Sequence, residues 1–406
     1  MRLIDRIFHR LFVKVLESKY SGWLAVASSC VSVSPDWPAH RAGAILTVDL
    51  AAIAANYRLL DARTPGALCA AVVKADAYGL GAAQVAPVLE QAGARHFFVA
   101  HVDEGLALRQ WVSPATQITV LHGARPEAVE DSVRSGLRPV LNSLEQISQL
   151  QSLAKQLDRP LDAVLQLDTG MSRFGLSGAD VQRLVQEPER LTGIFLSLIM
   201  SHLACADTPE NPANADQLRT LQTYAALLPK APLSLAASSG IFLGEAFHQS
   251  LVRPGAALYG IAPNTSGPNP LAPVVTLQAH ILQIRQLSKG DRVGYGLTWQ
   301  ADGPRRVATI ATGYADGFAR QGAAKGCAWF RGQRLPLLGR VSMDSMTVDI
   351  SAIPEGQITA DDTVDLLNDA YGVDALAAAE GTIGYEVLTS LGRRYHRVYK
   401  NTEQSI

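Results

Sequence analysis

The chain has 406 residues, 48% of them hydrophobic, 18% charged and 6% aromatic, which describes a soluble globular protein with ample material for a large core. Thirty-six basic side chains against 37 acidic ones leave a formal charge of -1, so there is no electrostatic footprint for nucleic acid. The longest nearly apolar stretch, residues 191–200, is broken by Thr192, Gly193 and Ser197 and falls far short of the roughly 18 residues that a membrane helix needs, so no membrane span is expected. Four scattered cysteines, Cys30, Cys69, Cys205 and Cys327, form no CxxC pair and no zinc-spaced Cys/His cluster. They read as reduced thiols of a cytoplasmic protein without a bound metal. At roughly 150 residues per domain the length fits two or three domains, or one barrel with a satellite.

In chain order, residues 1–43 form an N-terminal extension. Leu3, Ile4, Ile7, Phe8, Leu11 and Val15 recur at helical spacing among Arg2, Arg6, Arg10, Lys14 and Lys19, a basic amphipathic helix followed by a linker rich in Ser, Gly and Pro. Such a helix serves as an accessory arm, a targeting peptide or a membrane-surface element. From residue 44, short runs of Val, Ile and Leu alternate with helical patterns, the signature of βα units around a parallel sheet. After a preliminary strand at 45–50, eight candidate strands follow at 68–75, 96–100, 118–122, 138–141, 163–167, 194–201, 233–238 and 256–260. Eight strands close a (β/α)8 barrel. A doubly wound open sheet is the alternative, but no GxGxxG follows any of these strands. Asn142 and Ser143 stand as caps before the helical series Leu144, Ile147, Leu150, Leu153 and Leu157. Beyond Pro273 the pattern becomes strand-like at 276–287, 307–312, 327–330 and 346–350. The expected division is therefore a barrel over 44–272 and a mainly β domain over 273–406.

The chemically pointed residues cluster at strand ends, where barrel enzymes build their sites. Lys74 follows the apolar run 70–73. Holding a charge there is unfavourable, so its pKa should fall and its amine become a nucleophile toward carbonyls, as a Schiff base requires. Gly79 and Gly81 beside Tyr78 offer close backbone approach and a hydroxyl for an anion. Taken alone, each residue also has an ordinary explanation: a surface lysine past a strand, a turn serine at Ser238, a surface arginine at Arg253, a structural histidine at His202, an exposed loop arginine at Arg173.

Together the motifs resemble the alanine racemase family. Val73-Lys-Ala-Asp-Ala-Tyr-Gly79 is similar to that family's pyridoxal-phosphate attachment motif. Similar segments recur in order at 168–175, 201–204, 253–260, 293–296, 313–317, 339–344 and 382–386. Several ordered motifs over roughly 350 residues are far more specific than one. The resemblance implies a (β/α)8 barrel followed by a mainly β domain, a pyridoxal 5'-phosphate cofactor, interconversion of L- and D-alanine, and a homodimer with active sites shared between subunits.

Carried onto this chain, the resemblance makes Lys74 the Schiff-base lysine and the base for the D face. Tyr295, reaching in from the partner, becomes the base for the L face. Tyr78, Ser238, Tyr385 and the backbone around Ser238, Gly255 and Ala256 would hold the phosphate, whose roughly two negative charges want hydroxyls and amides. Arg253 would face the pyridine nitrogen and, being always protonated, make the ring a weaker electron sink. His202 would hydrogen-bond both Arg253 and Tyr295. Arg173 would contact the substrate carboxylate, Met343 and Asp344 would line the pocket, and Tyr314 would guard its entrance, with Asp207, Arg320 and Arg340 further out.

One position departs from the pattern. Where many members carry a carbamylated lysine that orients the arginine, this chain has Gln166, a neutral amide that supplies no charge. Ser342 also replaces a frequent cysteine. The resemblance leaves open a serine or broad-specificity racemase, and whether the activity serves D-alanine biosynthesis or catabolism. A pyridoxal-phosphate decarboxylase, which would pair the ring nitrogen with a carboxylate, and a non-catalytic cofactor-binding barrel fit the motifs less well.

Overall fold

The computed structural model describes residues 37–264, 267–320 and 326–401. The amphipathic helix expected near the N terminus lies outside the described residues, as does Cys30.

The strands are β1 (Ala44–Asp49), β2 (Leu68–Cys69), β3 (Ala71–Val72), β4 (His96–Val99), β5 (Gln117–Val120), β6 (Leu137–Leu141), β7 (Leu161–Gln166), β8 (Ile194–Met200), β9 (Leu233–Ser234) and β10 (Leu251–Val252). Among the described residues, β3 to β9 form a parallel sheet in sequence order. The ring closes where β10 pairs in parallel with β2, Leu251 opposite Leu68, and where Ala237 bridges Arg253. These strands are mostly apolar because one face packs the barrel interior and the other packs helices; Val164 and Leu165 of β7, facing opposite ways, are both fully buried. Helix Leu144–Gln156 begins at Ser143, whose hydroxyl accepts from Gln146 N–H, and buries Ile147, Leu150 and Leu153 against the outside of the barrel.

The expected eighth strand at 256–260 is corrected. Ala256–Tyr259 is a single 3-10 turn ending at Gly260, whose φ is 78°, and the closing strand is β10 just before it. The residues of that turn are fully buried, and a short buried apolar run has no periodicity to tell strand from turn. The first barrel strand also ends sooner than expected, at Val72.

The second domain contains β11 (Val275–Leu287), β12 (Arg292–Val293), β13 (Trp299–Gln300), β14 (Arg305–Ile310), β15 (Cys327–Phe330), β16 (Gln333–Leu338), β17 (Met346–Asp349), β18 (Thr363–Leu367) and β19 (His396–Lys400). Its main sheet runs β14-β17-β16-β15-β18-β11-β1-β19, and β14 also pairs with β11. The preliminary strand β1 thus belongs to this sheet, antiparallel to β11 and parallel to β19, with Val48 opposite Val275. Chain that precedes the barrel is stitched into the domain that follows it, and one core cluster runs from Leu46 and Leu277 to Val72 and Val73. Two helices, Val373–Glu380 and Gly384–Ser390, were not expected. They pack Val387 and Leu388 into that shared core, beside the turn that follows Lys74.

Candidate active site

Lys74 stands where the first barrel strand ends, just after Val73 donates its N–H to Phe98 O at 2.9 Å. The next four residues, Ala75, Asp76, Ala77 and Tyr78, have φ between 53° and 56°. A left-handed turn without glycine costs about 1–2 kcal/mol per residue, so it persists only where its surroundings hold it. Inside the turn, Ala77 N–H reaches Val73 O at 2.9 Å and Gly79 N–H reaches Ala75 O at 2.7 Å. Asp76 Oδ1 accepts from Ala82 N–H at 2.7 Å, and Arg397 Nη1 donates to Gly79 O at 2.6 Å. At the lysine end, Glu104 Oε1 accepts from Ala75 N–H at 2.7 Å. Gly79 closes the turn at φ 82°, where a Cβ would lie 2.6 Å from Leu388 O. Burial pushes the Lys74 pKa down, the Arg173 charge adds to this, and Glu104 opposes it. The downward direction is the one expected from the apolar run that precedes the lysine.

Around this turn the structure gathers the residues expected to hold a phosphate. Tyr78 is buried, its ring centroid 4.8 Å from that of Tyr259 and 6.1 Å from that of Tyr385. Its hydroxyl lies over Gly255, where a Cβ would come within 2.4 Å of it. Ser238 Oγ accepts from Gly255 N–H at 3.0 Å and from Ala257 N–H at 3.1 Å, with Ala256 buried between them. Burial raises the phenol pKa of both Tyr78 and Tyr385, with Asp207 and Asp374 adding to the rise at Tyr385. Both hydroxyls are therefore protonated donors at neutral pH. Hydroxyls and backbone amides converging on one another, with a glycine where a side chain would intrude, make a donor set that fits a phosphate.

Arg253 lies on the far wall, 3% exposed. It donates to Ser234 Oγ, to Ser201 O at 2.6 Å and to Leu235 O at 3.4 Å. Burial lowers its pKa to about 10, which leaves it cationic at neutral pH. His202 is pushed down to about 3 by burial and then by the charges of Arg253, Arg173 and Lys74, so its ring is neutral. The expected hydrogen bond between His202 and Arg253 is not formed; backbone carbonyls and a serine anchor the guanidinium instead.

Arg173 rides on a loop after β7, built by Asp168 Oδ1 accepting the N–H groups of Gly170, Met171 and Ser172 at 2.9 to 3.0 Å. It is exposed beside Phe174 and borders an open cavity of about 480 Å³ shared with His122, Asn142 and Asp168. Gln166 is buried beneath Gly175. Among the described residues no hydrogen bond joins it to Arg173.

The remaining candidates sit on the second domain. Tyr295 occupies the β12–β13 hairpin between Gly294 (φ 75°) and Gly296 (φ 76°), 70% exposed. Arg340 packs beside this hairpin, its Nη1 3.1 Å from where a Cβ on Gly296 would be. Tyr314 N–H donates to Ser342 O and Ala315 N–H to Met343 O, both at 3.0 Å, which holds the Tyr314 and Met343 loops together. Arg394 joins Asp344 at 2.6 Å to Asp316 at 2.7 and 2.8 Å. Among the described residues, no hydrogen bond or ring contact joins Tyr295, Tyr314, Met343 or Asp344 to the barrel. The candidates thus fall into two sets, one assembled around Lys74 and one displayed outward with exposed Tyr295, Leu297, Tyr314 and Met343.

Sequence reasoning missed Glu104 and Arg397. The available signal for Glu104 was an acidic pair, Asp103 and Glu104, in the first turn of helix Val102–Leu108, which directly follows a barrel strand. Arg397 carried no signal, since its role depends on β19 returning to Gly79.

A model of the alanine racemase N-terminal domain matches residues 48–263, and a model of the alanine racemase C-terminal domain matches residues 274–399. The chain is 49% identical over 377 residues to the catabolic alanine racemase of Mesorhizobium japonicum, covering 92% of this chain and 98% of that protein. It is 46% identical over 371 residues to the alanine racemase of Brucella canis, covering 88% and 94%. Among solved structures it resembles alanine racemase from Bartonella henselae with covalently bound pyridoxal phosphate, with a TM-score of 0.86 and 40% identity over 88% of this chain and 100% of that one. The biosynthetic alanine racemase of Pseudomonas aeruginosa gives 0.82 and 35%, over 89% and 100%.

Proposed function

The chain belongs to the alanine racemase family, and on that premise we propose that it interconverts L- and D-alanine with two bases, Lys74 and Tyr295, drawn from different subunits of a homodimer. The enzyme is an alanine racemase that uses pyridoxal phosphate. The observation that carries the proposal is the Lys74 amine, its pKa lowered by burial and by Arg173, at the end of a strained turn that also places Tyr78.

When bound, pyridoxal phosphate supplies an electron sink that acidifies the substrate Cα–H. Lys74 would carry it, and Tyr78, Ser238, Tyr385 and the backbone around Gly255 and Ala256 would hold its phosphate. The Lys74 amine, its pKa lowered by burial and by the Arg173 charge, would take a proton from Cα and return one. Arg173, cationic and exposed at the cavity, binds the substrate carboxylate. Arg253, always charged, offers donors to a ring nitrogen and discourages its protonation. His202 stays neutral between Arg253 and Arg173, so it adds no third charge to the wall.

One amine serves one face of a planar carbanion, and a second base must stand opposite. Tyr295 projects from the second domain with no hydrogen-bond or ring partner in its own barrel among the described residues, and the exposed apolar side chains around it suit burial against a second copy. Met343, Asp344 and Tyr314 would enter the partner's site with it. In this reading residues 44–272 form the cofactor-binding unit, with β1 lent to the other sheet, and 273–406 form the unit that completes the neighbouring site. We place the enzyme in the cytoplasm, where the buried thiols of Cys69 and Cys327 stay reduced. Among the described residues no helix is long and apolar enough to cross a membrane. Racemisation is freely reversible, so the same site serves D-alanine supply or consumption according to which enantiomer is removed.

Borohydride treatment should fix the cofactor to Lys74, as read by mass spectrometry. Tyr295→Phe should keep cofactor and fold while losing α-deuterium exchange from L-alanine selectively. Mixing Tyr295→Phe with Lys74→Ala subunits should restore up to one working site per heterodimer. Inactive heterodimers would contradict the shared site, and unchanged exchange would remove Tyr295 from the mechanism.

A further inference from the structure

We infer that Glu104 is a positioning residue for Lys74: its carboxylate ties the left-handed turn that begins at Ala75 to the end of the neighbouring barrel strand, and so sets where the lysine amine points. The inference rests on Lys74 being the cofactor-bearing base. One oxygen, Oε1, takes Ala75 N–H at 2.7 Å; the other, Oε2, takes Ala100 N–H at 2.7 Å and His101 N–H at 3.2 Å. These donors belong to two adjacent strand ends, since Ala75 follows β3, and Ala100 and His101 follow β4. Parallel pairing has stopped at both places, Val72 opposite Phe98 being the last register pair of β3 with β4. The carboxylate therefore continues the strand-to-strand connection where the ladder ends, bridging the lysine's own peptide to its neighbour.

No other side chain among the described residues can do this at the lysine end. Asp76 and Arg397 bond the far end of the turn, at Ala82 and Gly79, and Tyr259 hydroxyl bonds Val72 O before it. A carboxylate is needed because three N–H groups require an acceptor-only side chain. The amide of glutamine keeps one accepting oxygen and presents an NH2 group to the remaining donors. Glu104→Gln thus preserves volume and removes one half of the bridge.

The test must separate lysine placement from general damage. Enantiomers have equal free energy, so kcat/KM falls equally in both directions in any variant, and steady-state rates alone cannot locate the fault. Primary isotope effects can. In Glu104→Gln holoenzyme, kcat/KM should fall roughly tenfold or more, as expected for loss of a hydrogen bond to a charged group. The effect with α-deuterated D-alanine, whose proton Lys74 takes in the proposed mechanism, should rise as that step becomes limiting, and the effect with α-deuterated L-alanine should fall. Glu104→Asp, which keeps two accepting oxygens on a shorter arm, should restore part of the rate and part of the isotope asymmetry. Unchanged isotope effects in Glu104→Gln, or equal changes in both directions, would overturn the assignment. A borohydride label on Lys74 in the native protein with either of those results sinks the Glu104 role alone. A label elsewhere sinks both it and the proposed function.

Discussion

Gly255→Ala tests whether the space over Gly255 is reserved for the Tyr78 hydroxyl. The backbone there has φ -129° and ψ -81°, and the added methyl meets the Tyr78 side chain directly. That methyl would lie 2.4 Å from the Tyr78 hydroxyl oxygen, 3.1 Å from its ring Cζ and 3.2 Å from Val72 Cβ. To recover ordinary contact the hydroxyl must retreat by about 1 Å, since favourable non-bonded separations begin near 3.5 Å. Overpacking of this kind destabilises by about 1–3 kcal/mol. A Tyr78 hydroxyl displaced by that much loses a hydrogen bond to a charged phosphate, worth about 1.5–3 kcal/mol, or roughly 10- to 150-fold in cofactor affinity at 1.4 kcal/mol per tenfold. The assay is reconstitution of apoprotein with pyridoxal phosphate, followed by visible absorbance, alongside the apoprotein melting temperature. Tyr78→Phe removes both the clashing oxygen and the hydrogen bond, so Gly255→Ala should do much less harm in that background. The double-mutant cycle should show a coupling of about 1 kcal/mol or more. Losses that simply add, or full cofactor affinity in Gly255→Ala, would refute the placement of Tyr78.

His202, with a folded pKa of about 3 against 6.5, binds fewer protons folded than unfolded between those values. Stability should fall as pH drops through that window and be unaffected by this residue at higher pH; His202→Gln should flatten the acid side of a melting-temperature profile, and an unaltered profile would contradict the neutral buried ring. With Gln166 in place of a lysine, activity should survive thorough removal of carbon dioxide, and loss of activity on removal would show a carbamate elsewhere. Removal of chloride in a separate arm tests whether a bound anion helps place Arg173, as an activity loss there would indicate.

Local chemistry made the centre of the site legible in the sequence. A lysine after four apolar residues is desolvated wherever the strand is packed, so the downward direction of its pKa needed no coordinates. Short apolar runs alternating with helical periods likewise specify βα units around a parallel sheet, because each unit must bury one face of a helix against its strand. The closing strand escaped that reasoning. Residues 256–259 and residues 251–253 are both short and buried, and the pairing of Leu251 with Leu68 distinguishes them.

Long-range contacts decided the rest. Ala75 to Tyr78 carry no glycine that would signal a left-handed turn, and its handedness is held by a carboxylate 29 residues away and an arginine on the last described strand. β1 reads as a preliminary strand before the barrel because its alternation records burial without naming the partner; its partners are β11 and β19. Arg253 could be assigned a charge from its chemistry, but its anchors, Ser234 and the carbonyls of Ser201 and Leu235, come from strands brought together by ring closure. Tyr295 is the clearest division. Its phenol and flanking glycines are visible in the sequence, whereas its exposure is a property of the β12–β13 hairpin, whose Val293 packs with Val307 and Leu338 apart from the shared core.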